Sequence, residues 1–413
     1  MSGTMRRFFI STPFFISIPL LACRMVLLLL LACGLLMGQH AFSQNAPTEA
    51  FRAALPGYVY RFPQDHAAHP AFKTEWWYYT GHLQATDGRW FGYELTFFRS
   101  GVNRNEAQQK LIPLTWRLTD VYPAHAALTD IAGRRFLFTE KLNRSSPYVA
   151  GARTDRYHVW NEDWSVTRLP DGRHRLEATI PASTAASSKR PAKLSLWLNP
   201  TKPPAIHGRN GVSQKADCVG CASHYYSITR LQSTGTLTLD GKTLPVRGTS
   251  WMDHEFGSNQ LTAQQIGWDW YSIQLSDGRE LMFYSLRRKD GRIEPQSSGS
   301  WVDARGNVHH LPLAAFRVRP TGYWKSPRSG GRYPMGWQLS VTLAPAQTLV
   351  LTLKPTLTNQ ELVIGHGKGL TYWEGSCTVT GQWQQAQAGD VHPVSGRAYV
   401  EMTGYAQAFR QKI

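Results

Sequence analysis

An all-β chain of antiparallel hairpins is predicted by three features of the sequence. Alternating segments meet at Asp-Gly turns, helix signals are nearly absent after residue 45, and one hairpin pattern occurs twice. Asp-Gly between alternating strands is a strong hairpin signal, because the turn needs positive φ. Many short strands at regular spacing argue for antiparallel barrels or sandwiches. The 413 residues exceed what one hydrophobic core usually serves, so two domains are expected. The 15 Trp and 17 Tyr set the chain apart from disordered sequences, which lack such aromatic content.

The N-terminus reads as a targeting segment. Arg6 and Arg7 precede two apolar runs, Phe8–Leu21 and Met25–Met37, broken by Arg24. Each run is too short to span a bilayer alone. Ala41-Phe42-Ser43 has the small-x-small form of a cleavage site, so residues 1–43 are expected to be a removed signal peptide. A twin-arginine motif at "RRFFI", a lipidation site at "LLAC" and an uncleaved anchor are competing readings. Export, to the periplasm or beyond, is the expected localisation.

Residues 44–57 form a leader. The hairpins follow in order: 78–99 around Asp87-Gly88-Arg89, 164–180 around Asp171-Gly172, 234–246 around Asp240-Gly241, and 270–288 around Asp277-Gly278-Arg279. The first and last share more than a turn. Trp76-Trp77-Tyr78-Tyr79 precedes one, and Trp268-Asp269-Trp270-Tyr271 precedes the other. This favours two similar β domains arising by duplication.

The formal charge is +17, and loss of Arg6, Arg7 and Arg24 leaves +14. The basic residues are scattered, whereas a nucleic-acid groove would want a concentrated patch, so no nucleic-acid partner is expected. Weak peripheral association with an anionic envelope surface is compatible with the charge. Cys218 and Cys221 suggest either a small disulfide or half of a zinc site with His224; no second ligand pair has suitable spacing, and no metal or other cofactor is expected. No nucleophile elbow, His-Glu-x-x-His, P-loop or dinucleotide fingerprint is present.

Candidate chemistry lies in three segments. In "SWMDHEFG" (250–257), strand alternation puts Trp251, Asp253 and Glu255 on one face and Met252, His254 and Phe256 on the other. In "GWDWYSIQL" (267–275), Asp269 shares a face with Tyr271, Ile273 and Leu275. Burial there would raise the pKa of its carboxyl, unless an arginine pairs with it. "KTEWWYYTGHL" (73–83) sets Glu75 among four aromatics, either as barrel core or as a ligand cavity.

"EWWYYTGHL", "ASHYYSITR", "GTSWMDHEFGSNQL", "GWDWYSIQLSDGRELMFYSLRR", "LTYWEGSCTVTG" and "GRAYVEMTGY" together resemble the AttH / carotenoid 1,2-hydratase-like family, also called predicted secreted hydrolases. The resemblance runs from about residue 58 to 410 and implies two consecutive lipocalin-like β-barrels, divided here as 58–250 and 251–413. It implies an exported enzyme that hydrates or hydrolyses a hydrophobic, isoprenoid- or lipid-like substrate by acid catalysis, without a cofactor. Asp253 or Asp269 would donate the proton, with His254 and Glu255 orienting water or tuning the acid. Glu75, Trp76, Trp77, Tyr78, Trp268, Trp270 and Tyr271 would line the cavity, joined by Tyr225, Tyr226 and Arg230. The alternative is a non-catalytic carrier of an apolar ligand, linked to an envelope transport system, because one scaffold hosts many functions.

Overall fold

The computed structural model describes residues 51–102, 111–113, 116, 118–182, 190–344, 347–367, 370–385 and 391–409. The expected signal peptide lies outside them, as do most residues of the loop that the sequence predicts over 184–191. The strands of the first sheet are β1 (Thr74–Ala85), β2 (Trp90–Gly101), β3 (Asp120–Asp130), β4 (Arg135–Arg144), β5 (Ala150–Ala152), β6 (His158–Asn161), β7 (Trp164–Arg168), β8 (His174–Ile180), β9 (Ala192–Pro200), β10 (Ala205–Ile206), β11 (Ser213–Gln214), β12 (Ala222–Leu239) and β13 (Lys242–Gly257). Those of the second are β14 (Gln265–Leu275), β15 (Glu280–Arg288), β16 (Ser298–Val302), β17 (Val308–Pro312), β18 (Phe316–Pro320), β21 (Trp337–Ala344), β22 (Gln347–Pro355), β23 (Glu361–Val363), β24 (Thr371–Gln385) and β25 (Val391–Thr403). Between β18 and β21, β19 (Tyr323–Lys325) and β20 (Arg332–Pro334) form a small hairpin.

All four predicted Asp-Gly hairpins form. Gly88, Gly172, Gly241 and Gly278 each adopt φ between 81° and 90°, where a side chain would clash with its own backbone. In three of the turns the following arginine folds back onto the aspartate, as Arg89 does on Asp87.

The repeat is visible in the topology. Strand order in the first sheet is β4-β3-β2-β1-β13-β12-β9-β8-β7-β6-β5, and in the second β17-β16-β15-β14-β25-β24-β22-β21-β18. In each, the opening strand of the aromatic hairpin pairs with the last strand of its own sheet, β1 with β13 and β14 with β25. The expected division between residues 250 and 251 falls inside β13. Pairing along this strand continues to Gly257, so the change of sheet comes at 258–264.

Alternation assigns the aromatics to layers. Trp77, Tyr79, Tyr226 and Met252 enter the core of the first sheet, and Tyr271, Ile273 and Leu275 that of the second. Their strand neighbours point the other way. Tyr78, Tyr225, Trp251, Trp270, Tyr284 and Tyr399 form a third apolar cluster between the sheets, with half-buried Trp76, Leu261 and Trp268 at its margin. Burying large aromatics against each other holds the two sheets together. Polar ties reinforce the layer: Gln274 Nε2 donates to the carbonyls of Thr229 (2.7 Å) and Ser250 (3.0 Å).

Candidate functional site

The two faces of β13 carry different chemistry. Register fixes what each side chain meets. Asp253 lies between Tyr78 of β1 and Ser227 of β12; Glu255 lies between Trp76 and Tyr225. All face the layer between the sheets. His254 lies between Trp77 and Tyr226 and points into the first sheet's interior.

On the layer side, the Asp253 carboxyl accepts from Tyr225 Oη (2.6 Å), Trp251 Nε1 (2.6 Å) and Ser227 Oγ. It has no cationic partner among the described residues. Burial raises its pKa to about 7, against the three donors, which favour the ionised form. Trp270 Nε1 donates to the same Tyr225 hydroxyl at 3.0 Å, carrying the network across to the second sheet.

Three more carboxyls face this layer, none singled out from the sequence. Glu374 and Glu401 stand directly opposite each other on β24 and β25. Like charges so placed repel. Glu374 accepts from Tyr78 Oη at 2.6 Å and is held well above the ordinary carboxylate range by burial and by Glu401. Glu401, half-buried at the margin, accepts from Trp268 Nε1 at 3.1 Å. Its pKa rises to about 7 through burial, with Asp253 contributing. Glu94 of β2 is raised well above its usual value by burial. Each had a readable signal, a glutamate inside an aromatic strand: "GYELTFF", "YWEGS" and "YVEMT".

The remaining expected site residues are placed elsewhere or paired. Glu255 forms an ion pair with Lys215 (3.0 Å), whose ammonium also sits 4.1 Å from the Tyr284 ring centroid. Asp269 pairs with Arg287 (3.2 Å) and accepts from Tyr405 Oη (3.0 Å); its pKa is raised by burial, with Arg287 opposing. Arg230 bridges the sheets through Glu280 at 2.5 Å. Trp76, Tyr78, Tyr225, Trp268 and Trp270 share the inter-sheet layer, whereas Trp77 and Tyr226 belong to the first core and Tyr271 to the second. The expected single cavity is thus three separate environments. Cys218 and Cys221 form a disulfide, and Cys377 is buried and free.

On the interior side, His254 stacks on Trp77 with ring centroids 4.9 Å apart. Its Nε2 lies 2.8 Å from Glu75 Oε1, and its Nδ1 lies 3.0 Å from Tyr226 Oη. The same Glu75 oxygen lies 2.8 Å from His69 Nδ1, while Arg99 Nε donates to Oε2 at 3.0 Å. Glu75 is held well below its usual pKa despite complete burial, with Arg99 the largest lowering influence. His69 was not anticipated; it lies on the segment before β1, and only folding brings it to Glu75. It borders a cleft of about 520 Å³ whose wall includes Tyr58, Phe72 and His224.

Comparisons with known proteins agree with this architecture. The AttH-like family model matches residues 53–405. A crystal structure assigned to AttH from Nitrosomonas europaea is 31% identical, with a TM-score of 0.72, covering 86% of this chain and 99% of that one. Kievitone hydratase from Nectria haematococca, at 14% identity and a TM-score of 0.58, covers 87% and 98% and shares the fold. A search of curated proteins finds no match. Two sheets joined by the predicted aromatic hairpins, together with a family match across nearly all the described chain, make this protein a member of the AttH-like family.

Proposed function

We propose that the chain is an exported enzyme that adds water to a hydrophobic, isoprenoid-like substrate, with Asp253 as the proton donor. The observation that carries the proposal is a buried carboxyl, free of any cation among the described residues, set in an aromatic layer. Such an environment keeps an acid protonated near neutral pH, where it can donate. The likeness to kievitone hydratase supports a scaffold able to host hydration and identifies no substrate.

Chemically, the Asp253 proton would pass to one alkene carbon as the π bond breaks, leaving a cation on the other. Trp251, Trp270 and Tyr78 belong to the surrounding aromatic layer, and an aromatic face turned toward that charge would stabilise it. Water adds to the cation, and Glu401, at the margin beside Trp268, accepts the proton that water releases. Half-buried Trp76, Leu261 and Trp268 mark the side from which an apolar chain would enter. Paired as it is with Arg287, Asp269 is the weaker donor candidate.

The test is incubation of the purified chain with an acyclic carotenoid such as lycopene in ¹⁸O-labelled water. The expected product is a tertiary alcohol carrying ¹⁸O, reduced about 10²–10⁴-fold by Asp253→Asn and little changed by Asp269→Asn. No product from wild type overturns hydration of this substrate class. The carrier reading draws support from the cleft, whose lining includes Leu55, Pro56, Pro70 and Phe72 and none of the layer carboxyls. Native mass spectrometry showing a co-purified lipid, together with no turnover, would favour it.

A further inference from the structure

We infer that His69, Glu75 and His254 form a binding site for a divalent cation of the zinc class, opening onto the cleft beside the first sheet. This inference is independent of the hydratase proposal. The three ligand atoms, His69 Nδ1, Glu75 Oε1 and His254 Nε2, lie within 4.8 Å of one another. Both ring nitrogens approach the same carboxylate oxygen at 2.8 Å. Tetrahedral zinc with ligand bonds near 2.0–2.1 Å wants its ligands roughly 3.3 Å apart. Seating the ion lengthens the two N···O separations by about half an ångström and draws the ring nitrogens, now within 4.8 Å of each other, toward that spacing.

The surrounding groups suit that role. A metal on His69 Nδ1 requires the ring proton on Nε2, where Asp65 Oδ1 stands 3.2 Å away to accept it. Carboxylate support of a ligand histidine in this manner is a recurrent feature of zinc sites. A metal on His254 Nε2 requires the proton on Nδ1, facing Tyr226 Oη at 3.0 Å. That hydroxyl can in turn donate to His66 Nδ1 at 2.7 Å. Arg99 occupies the far oxygen of Glu75, leaving Oε1 to the histidines. Phe256, stacked on His69 with centroids 3.7 Å apart, fixes the ring's orientation.

Charge and access point the same way. Two carboxylates, Glu75 and Asp65, contact the histidines, whereas the one guanidinium touching Glu75 is shared with Asp120. A cation would offset the excess negative charge. His69 keeps 13% of its side chain exposed on the cleft wall, which supplies an entry path and a fourth position for water. The ligands come from two separate stretches of chain, 69–75 and 254, so no compact motif betrays them.

The experiment titrates Co²⁺ into tag-free, chelator-treated protein with its Cys218–Cys221 disulfide intact. One equivalent should give the d–d absorption of a four-coordinate site without thiolate charge transfer, and Zn²⁺ should abolish it. His69→Ala and His254→Ala should each remove stoichiometric binding, and Asp65→Asn should weaken it about 10–100-fold. Should His254→Ala fail to fold, His69→Ala and Asp65→Asn still decide. Absence of stoichiometric Co²⁺ or Zn²⁺ uptake by wild type, or His69→Ala binding like wild type, overturns the site.

Discussion

One strand separates two buried polar networks with opposite electrostatics. Inside the first sheet, Glu75 is buried but paired with Arg99 and in hydrogen-bond contact with two histidines. Across β13, Asp253 is buried and bonded only by neutral donors. The first carboxyl is driven well below its normal pKa and the second is driven up to about 7. Burial alone therefore does not decide the protonation of a carboxyl; it competes with any cation and hydrogen-bond donors that meet the ionised form. Asp269 in the second sheet is the intermediate case: it is half-buried, its pKa is still raised by burial, Arg287 opposes that rise, and it behaves as a structural partner.

The comparison can be broken most severely at Arg99. Arg99→Leu removes the guanidinium that pairs with buried Glu75 and Asp120 and should destabilise the protein by about 3–5 kcal/mol, read by urea denaturation. A loss under 1 kcal/mol would mean that the network is not held by that charge.

A smaller contrast lies between two isosteric changes. Asp269→Asn leaves Arg287 without its carboxylate and should cost about 1–3 kcal/mol. Asp253→Asn removes no counter-charge, and at pH 8 it should be neutral or stabilising. Equal destabilisation by both would erase the distinction between a paired and an unpaired carboxyl.

The subtlest test is pH. Asp253 titrates near 3.8 when unfolded and about 7 when folded. The stability linked to its protonated form is full below the unfolded value and lost as pH rises through the folded one. Wild type should lose a few kcal/mol between pH 4 and 8 that Asp253→Asn retains, with Glu401 adding a parallel loss in both proteins. Denaturation curves of equal pH dependence would place Asp253 outside the titrating pair.

Much of this was legible in the chain because strand chemistry is local. An Asp-Gly turn needs positive φ wherever it sits, and period-two alternation separates Asp253 from His254 without further information. The matching aromatic hairpins announced the repeated topology for the same reason. The partners of each charge were not legible, since they depend on which strands become neighbours. Asp253 and Asp269 each sit in an aromatic-rich strand, and nothing in the sequence says that only Asp269 meets an arginine. Glu374 and Glu401 repel each other through a pairing across 26 intervening residues, and His69 reaches His254 only when the segment before β1 folds over Phe256. Local pattern thus determined the strands and the faces of their side chains. Tertiary structure alone decided protonation, because Coulomb energy follows distance in space rather than along the chain.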